Sequence, residues 1–177
     1  LPVWVTMTYE TTGRTFTGTK IESMAVTLEG LGVDAIGFNC SLGPKEILPL
    51  AKKLKEWTNL PIIIKPNAGL PNPSTGEYDL LASDFAKLMA DFGEIGIEYA
   101  GGCCGTSPEF ISELKIEFEN RKFTEIKPAK VKTGICSANE MVELNGVRVV
   151  GERLNPTGKK RFAQALLERD MNYISKI

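Results

Sequence analysis

The chain has 177 residues, 42% of them hydrophobic and 24% charged, which suits a globular core of one domain or one domain plus part of another. Its 21 Lys and Arg against 22 Asp and Glu give a net charge of −1, and no basic run is interleaved with aromatic residues, which excludes the electrostatic footprint of a nucleic-acid binder. Histidine is absent, which removes Ser-His-Asp triads, Cys-His dyads and imidazole bases, so any metal chemistry rests on sulfur or carboxylate.

The start, Leu1-Pro2-Val3-Trp4, lacks the basic region and cleavage site of a signal peptide, and no apolar run reaches the ~20 residues needed to cross a bilayer. A cytosolic protein without membrane contact is expected. The chain enters a strand at once and without Met, which suggests a piece of something longer.

Strand patterns fall at Val3–Thr8, Ala35–Asn39, Pro61–Lys65 and Ile95–Ala100. Between them, apolar residues recur at helical spacing: Ile21, Met24, Ala25 and Leu28; Ile47, Leu50, Ala51 and Leu54; Phe85, Leu88, Met89 and Phe92. A fourth helix is marked by Thr106-Ser107-Pro108-Glu109, a capping hydroxyl followed by proline and an acid, with Phe110, Ile111, Leu114 and Phe118 as its stripe. The alternation predicts an α/β fold of four βα units on a parallel sheet.

Residues 120–145 turn polar, with Asn120-Arg121-Lys122 and Lys127-Pro128-Ala129-Lys130, and read mainly as a linker with a short strand at Gly134–Ser137. A further strand at Val147–Val150, the segment Gly151–Gly158 and a helix over about 159–174 predict the first βα unit of a second domain, residues 146–177.

Four cysteines stand at 40, 103, 104 and 136, and in a reducing compartment metal binding or catalysis is favoured over disulfides. In parallel α/β sheets active sites gather beyond the strand C-termini, where Cys40 and Cys103-Cys104 are predicted to lie. Adjacent cysteines on a strand point to opposite faces, so the flanking Gly101, Gly102 and Gly105 are expected to let the backbone leave strand geometry. Three thiolates on Zn²⁺ leave one tetrahedral position open for a thiol substrate. Zinc deprotonates a thiol whose free pKa is about 8.5, so no general base is needed. Cys136 lies in the predicted linker and is read as structural. Against this stands a non-catalytic reading, in which Cys136 joins the other three in a closed structural zinc site.

Three motifs carry a family resemblance: Gly37-Phe38-Asn39-Cys40 with Gly43-Pro44; Lys65-Pro66-Asn67-Ala68-Gly69-Leu70-Pro71; and Gly101-Gly102-Cys103-Cys104-Gly105-Thr106. Over residues 1–120 the sequence resembles the zinc-dependent homocysteine S-methyltransferase family. The resemblance implies that these units are the C-terminal half of a (βα)8 TIM-type barrel whose first four strands are missing. It implies zinc on Cys40, Cys103 and Cys104, and homocysteine as the substrate. Asn67, which also follows a buried strand, is a candidate for the amino-acid end of the substrate, as more weakly are Asn39 and Glu10 at strand ends.

The segment Val150–Gly158 resembles the entry to the pterin-binding barrel of the cobalamin-dependent methionine synthase family. That resemblance implies methyltetrahydrofolate as ultimate methyl donor and places Asn155 near a pterin pocket. Methylcobalamin would be the direct donor, with cobalamin bound by a domain outside this chain. A homocysteine methyltransferase using betaine or a sulfonium donor is the rival.

Overall fold

The computed structural model describes residues 1–121, 123, 132–151 and 154–177. The expected linker residues Lys122 and Lys127–Lys130, and Glu152-Arg153 of the 150–158 motif, lie outside them. The chain divides into two units, Leu1–Leu144 and Asn145–Ile177.

The first unit alternates β1 (Trp4–Met7), α1 (Ile21–Gly30), β2 (Ala35–Asn39), α2 (Pro44–Lys55), β3 (Ile62–Lys65), α3 (Ala82–Glu94), β4 (Tyr99–Ala100) and α4 (Pro108–Glu119). All four strands are parallel and adjacent in chain order, β1-β2-β3-β4. Strand periodicity sorts the side chains. Ile36, Phe38, Ile62 and Ile64 project to one face and are buried, joined by Ile21, Met24, Ile47, Leu54, Phe85, Met89 and Phe92 from the helices.

The opposite face carries Trp4, Gly37, Ile63 and Tyr99, as their strand registers require. An ideal Cβ on Gly37 would lie 1.8 Å from the carbonyl oxygen of Ile63, so a side chain there would force β2 off β3. In a flat sheet the outer strands would be ~14 Å apart. Instead the rings of Trp4 and Tyr99 meet with centroids 4.4 Å apart, so this face is concave.

The fourth strand is shorter than its apolar run because α3 uses the first part of it. Gly96, at φ 74°, donates to the Gly93 carbonyl, and Ile97 N–H reaches back to Phe92 at 3.0 Å, the paired bonds of a Schellman termination. Glu98 then accepts the Ile62 N–H through its carboxylate at 2.9 Å, and ladder pairing begins only at Tyr99.

Two expectations about α4 change. Ser107 occupies its N-cap position without a side-chain cap bond, while the Thr106 hydroxyl donates to the Cys103 carbonyl at 2.6 Å. Of the expected stripe only Leu114 is fully buried, Phe110 and Phe118 are partly so, and Ile111 is exposed.

Residues 132–144 add an antiparallel pair, β5 (Gly134–Cys136) and β6 (Met141–Glu143). The second unit holds α5 (Lys160–Glu168) and α6 (Met171–Ile174), separated by Arg169 in left-handed geometry. The strand expected at Val147–Val150 does not form. Val147 and Val150 are 98% and 89% exposed, since a β-branched run without a neighbouring strand has nothing to pair with.

Candidate metal centre

Each expected ligand stands just past a strand. Cys40 follows β2, and its N–H donates to the Lys65 carbonyl at 3.0 Å, prolonging the β2–β3 ladder by one bond. There the backbone turns, because Cys40 and Ser41 both adopt left-handed φ, 62° and 63°, a conformation costing roughly 1 kcal/mol or more for a non-glycine residue.

After β4 the chain runs beside the loop that follows β3. Gly101 N–H donates to Ile64, Cys103 N–H to Pro66, and Ala68 N–H back to Cys104, at 2.8–2.9 Å. The glycines differ in what they supply. A Cβ at Gly102 would strike the Thr106 side chain at 2.5 Å, Gly105 holds φ 77°, and Gly101 has ordinary room.

Cys40, Cys103 and Cys104 bring their sulfurs within 4.8 Å of one another, the one such group of potential metal-binding side chains among the described residues. The sulfurs of Cys40 and Cys104 are 3.5 Å apart. Tetrahedral zinc with bonds of ~2.3 Å separates its sulfurs by ~3.8 Å, so the three fit one ion with little adjustment and leave a fourth position open. Cys136 is elsewhere: on β5 its sulfur lies 3.4 Å from the Thr27 hydroxyl and 3.7 Å from the Ser23 carbonyl, against α1.

The thiols are electrostatically unequal. Burial pushes the Cys40 thiol up, but the Ser41 N–H and the neighbouring Cys104, Cys103 and Asn67 groups outweigh it and lower its pKa. Cys104 is raised, first by its hydrogen bonds with Cys40 and Cys103 and then by their charge. Cys40 is thus the first of this pair to ionise.

Asn67 is 3% exposed, and its side-chain carbonyl accepts the Cys104 N–H at 3.1 Å. Asn39 ends β2 opposite Lys65, and Glu10 is exposed after β1, closing a turn with Arg14. Asn155, in the second unit, accepts the Thr157 N–H at 2.8 Å through its side-chain carbonyl.

The sequence reading missed Tyr78, whose phenol neighbours Cys104 and whose ring covers Gly105. Asn72-Pro73-Ser74-Thr75-Gly76 is a turn signal that could have folded Tyr78 back toward the motif at Lys65–Pro71.

A family model described as homocysteine S-methyltransferase matches residues 1–118, the span that holds all three cysteines. The chain belongs to the homocysteine S-methyltransferase family. The methionine synthase of Mycobacterium tuberculosis is 35% identical over 175 residues, and that of Mycobacterium leprae 32% over 182. Each alignment covers 96% of this chain but 15% of the relative, so the chain spans a small part of these family members. The crystal structure of the homocysteine methyltransferase MmuM from Escherichia coli, in its oxidized form, aligns with a TM-score of 0.51 and 25% identity over 65% of this chain and 36% of that one.

Proposed function

We propose that this chain is the part of a methionine synthase that holds zinc on Cys40, Cys103 and Cys104 and presents homocysteine for methylation. The observation that carries the reading is the convergence of three sulfurs within 4.8 Å from two strand ends, with no fourth cysteine among them. When bound there, zinc supplies the Lewis acidity that keeps a small thiol ionised at neutral pH without a base. The three cysteines hold the ion, Asn67 fixes the backbone at Cys104, and Asn67, Asn39 and Glu10 are assigned to the amino-acid part of homocysteine.

In this reading residues 1–120 are the C-terminal half of a (βα)8 homocysteine barrel, 121–145 a linker, and 146–177 the start of a pterin-binding barrel. Asn155 lies near the pterin pocket. The methyl group comes directly from methylcobalamin, carried by a cobalamin domain outside this chain, and ultimately from methyltetrahydrofolate. Support for this branch over betaine or sulfonium donors comes from the methionine synthase alignments, whose 96% coverage takes in the C-terminal segment as well as the cysteine region. Free thiols are kept in reducing compartments, so the cytosol suits the site. No described helix is long and apolar enough to cross a membrane.

X-ray absorption at the zinc edge of the intact protein tests the reading. Three sulfurs and one light atom are expected without homocysteine, and four sulfurs with it; a spectrum unchanged by homocysteine overturns it.

A further inference from the structure

At the end nearest the cysteines, the concave face of the sheet carries a lysine. Strand register sets Asn39 of β2 opposite Lys65 of β3, and alternation puts both on the face that holds Gly37 and Ile63. The Gly101 N–H, bonded to the Ile64 carbonyl at 2.9 Å, carries the third strand alongside them. An ideal Cβ on Gly101 would lie 3.4 Å from Cγ of Lys65, so the lysine stem runs beside a residue that has no side chain. The Lys65 carbonyl accepts the Cys40 N–H at 3.0 Å, which sets this row directly before the candidate centre. The charge of Lys65 is the unusual part. Among the described residues three lysines are partly buried, Lys20, Lys55 and Lys65. Lys20 pairs with Glu140 at 3.0 Å, and Lys55 with Glu98 at 4.0 Å while donating to the Gly96 carbonyl at 2.7 Å. Lys65 meets no carboxylate among the described residues. An ammonium partly withdrawn from water gains from an anion, and its own protein supplies none here.

We propose that Lys65 is a specificity-determining residue for the thiol substrate, its ammonium taking the carboxylate of homocysteine beside Asn39. The assignment deepens the homocysteine reading and rests on it. A thiol whose sulfur fills the open position on the ion still has an amino-acid end to place, and the row of Asn39 and Lys65 is next to the cysteines on the concave face. The substrate class narrows accordingly to thiols that carry a carboxylate a short chain away from sulfur. A thiol with an amine and no carboxylate would leave the lysine unpaired and repelled.

Lys65→Met keeps most of the stem and removes the charge. Calorimetric titration of the intact, zinc-loaded protein compares homocysteine with aminopropanethiol, which is homocysteine without its carboxylate. In Lys65→Met the affinity for homocysteine should fall about tenfold, as for the loss of a hydrogen bond between charged groups, while aminopropanethiol binds no more weakly than to the parent. Lys65→Gln, with a polar end in place of the charge, should give the same result and serves if the methionine variant does not fold. Zinc per chain should match the parent. Homocysteine binding that is unchanged, or both thiols weakened alike, overturns the assignment; equal weakening would make the lysine a counter-charge of the metal centre. A parent protein that holds zinc and binds neither thiol overturns the homocysteine reading itself, and this assignment with it.

Discussion

The buried side-chain carbonyl of Asn67 accepts the backbone N–H of Cys104 at 3.1 Å, tying the loop after β3 to the cysteine pair after β4. Its partner cannot easily be replaced, because a buried amide left unpaired costs about 1–3 kcal/mol. Asn67→Ala should therefore loosen Cys104 and weaken zinc binding roughly tenfold with the fold retained, as read by competition with a chromogenic chelator. Unaltered affinity would show that the bond does not steady the centre.

The position of Cys136 against α1 separates an open centre from a closed one. Cys136→Ser is expected to leave one zinc per chain by elemental analysis, whereas Cys103→Ser should lose it. Loss of zinc from the Cys136 variant would restore the closed four-sulfur site.

Ser41 shares left-handed geometry with Cys40 but is not among the clustered ligands. Ser41→Gly relieves its strain at some cost in unfolded-chain entropy, leaving a net gain of about 0.5 kcal/mol. Urea unfolding of the zinc-free protein should show a higher midpoint, and a lower one would refute stored strain.

A pH effect is expected from the pair formed by Glu22 and Lys53, whose charged atoms lie 2.8 Å apart. Burial raises the Glu22 carboxyl, but Lys53, a backbone bond and Lys20 together lower it on balance. Its stabilising contribution is complete above the ordinary carboxylate pKa of about 4.3 and is lost as pH falls through the lower folded value. Lys53→Met should remove that acid-side loss, so that urea midpoints between roughly pH 3 and pH 6 fall less steeply than in the parent. An equal slope would assign the loss to other carboxyls.

The sequence was most legible where burial and pattern coincide. The run Ala35–Asn39 became β2 with the same bounds, because both its faces are covered and its apolar residues have one use. The stripe of α3 also held, with Phe85, Met89 and Phe92 buried. Legibility failed where tertiary partners decide. Ile95–Ile97 look like strand but serve the termination of α3, and Val147–Val150 have high strand propensity with no strand to join. At the centre, cysteine spacing named the cluster, but nothing local announced that Asn67 would spend its carbonyl on Cys104 or that a tyrosine far along a polar loop would come to rest on Gly105.

The Trp4–Tyr99 contact has a directional consequence. These residues begin β1 and β4, while the cysteines stand beyond the strand ends, and Cys40 is five residues past Ala35, the register partner of Trp4, a distance of ~16 Å along the sheet. The two rings, both still exposed to solvent, mark the strand-start end of the concave face. Anything gathered by the cysteines therefore sits at the opposite end of this face from the ring pair, a full strand length away.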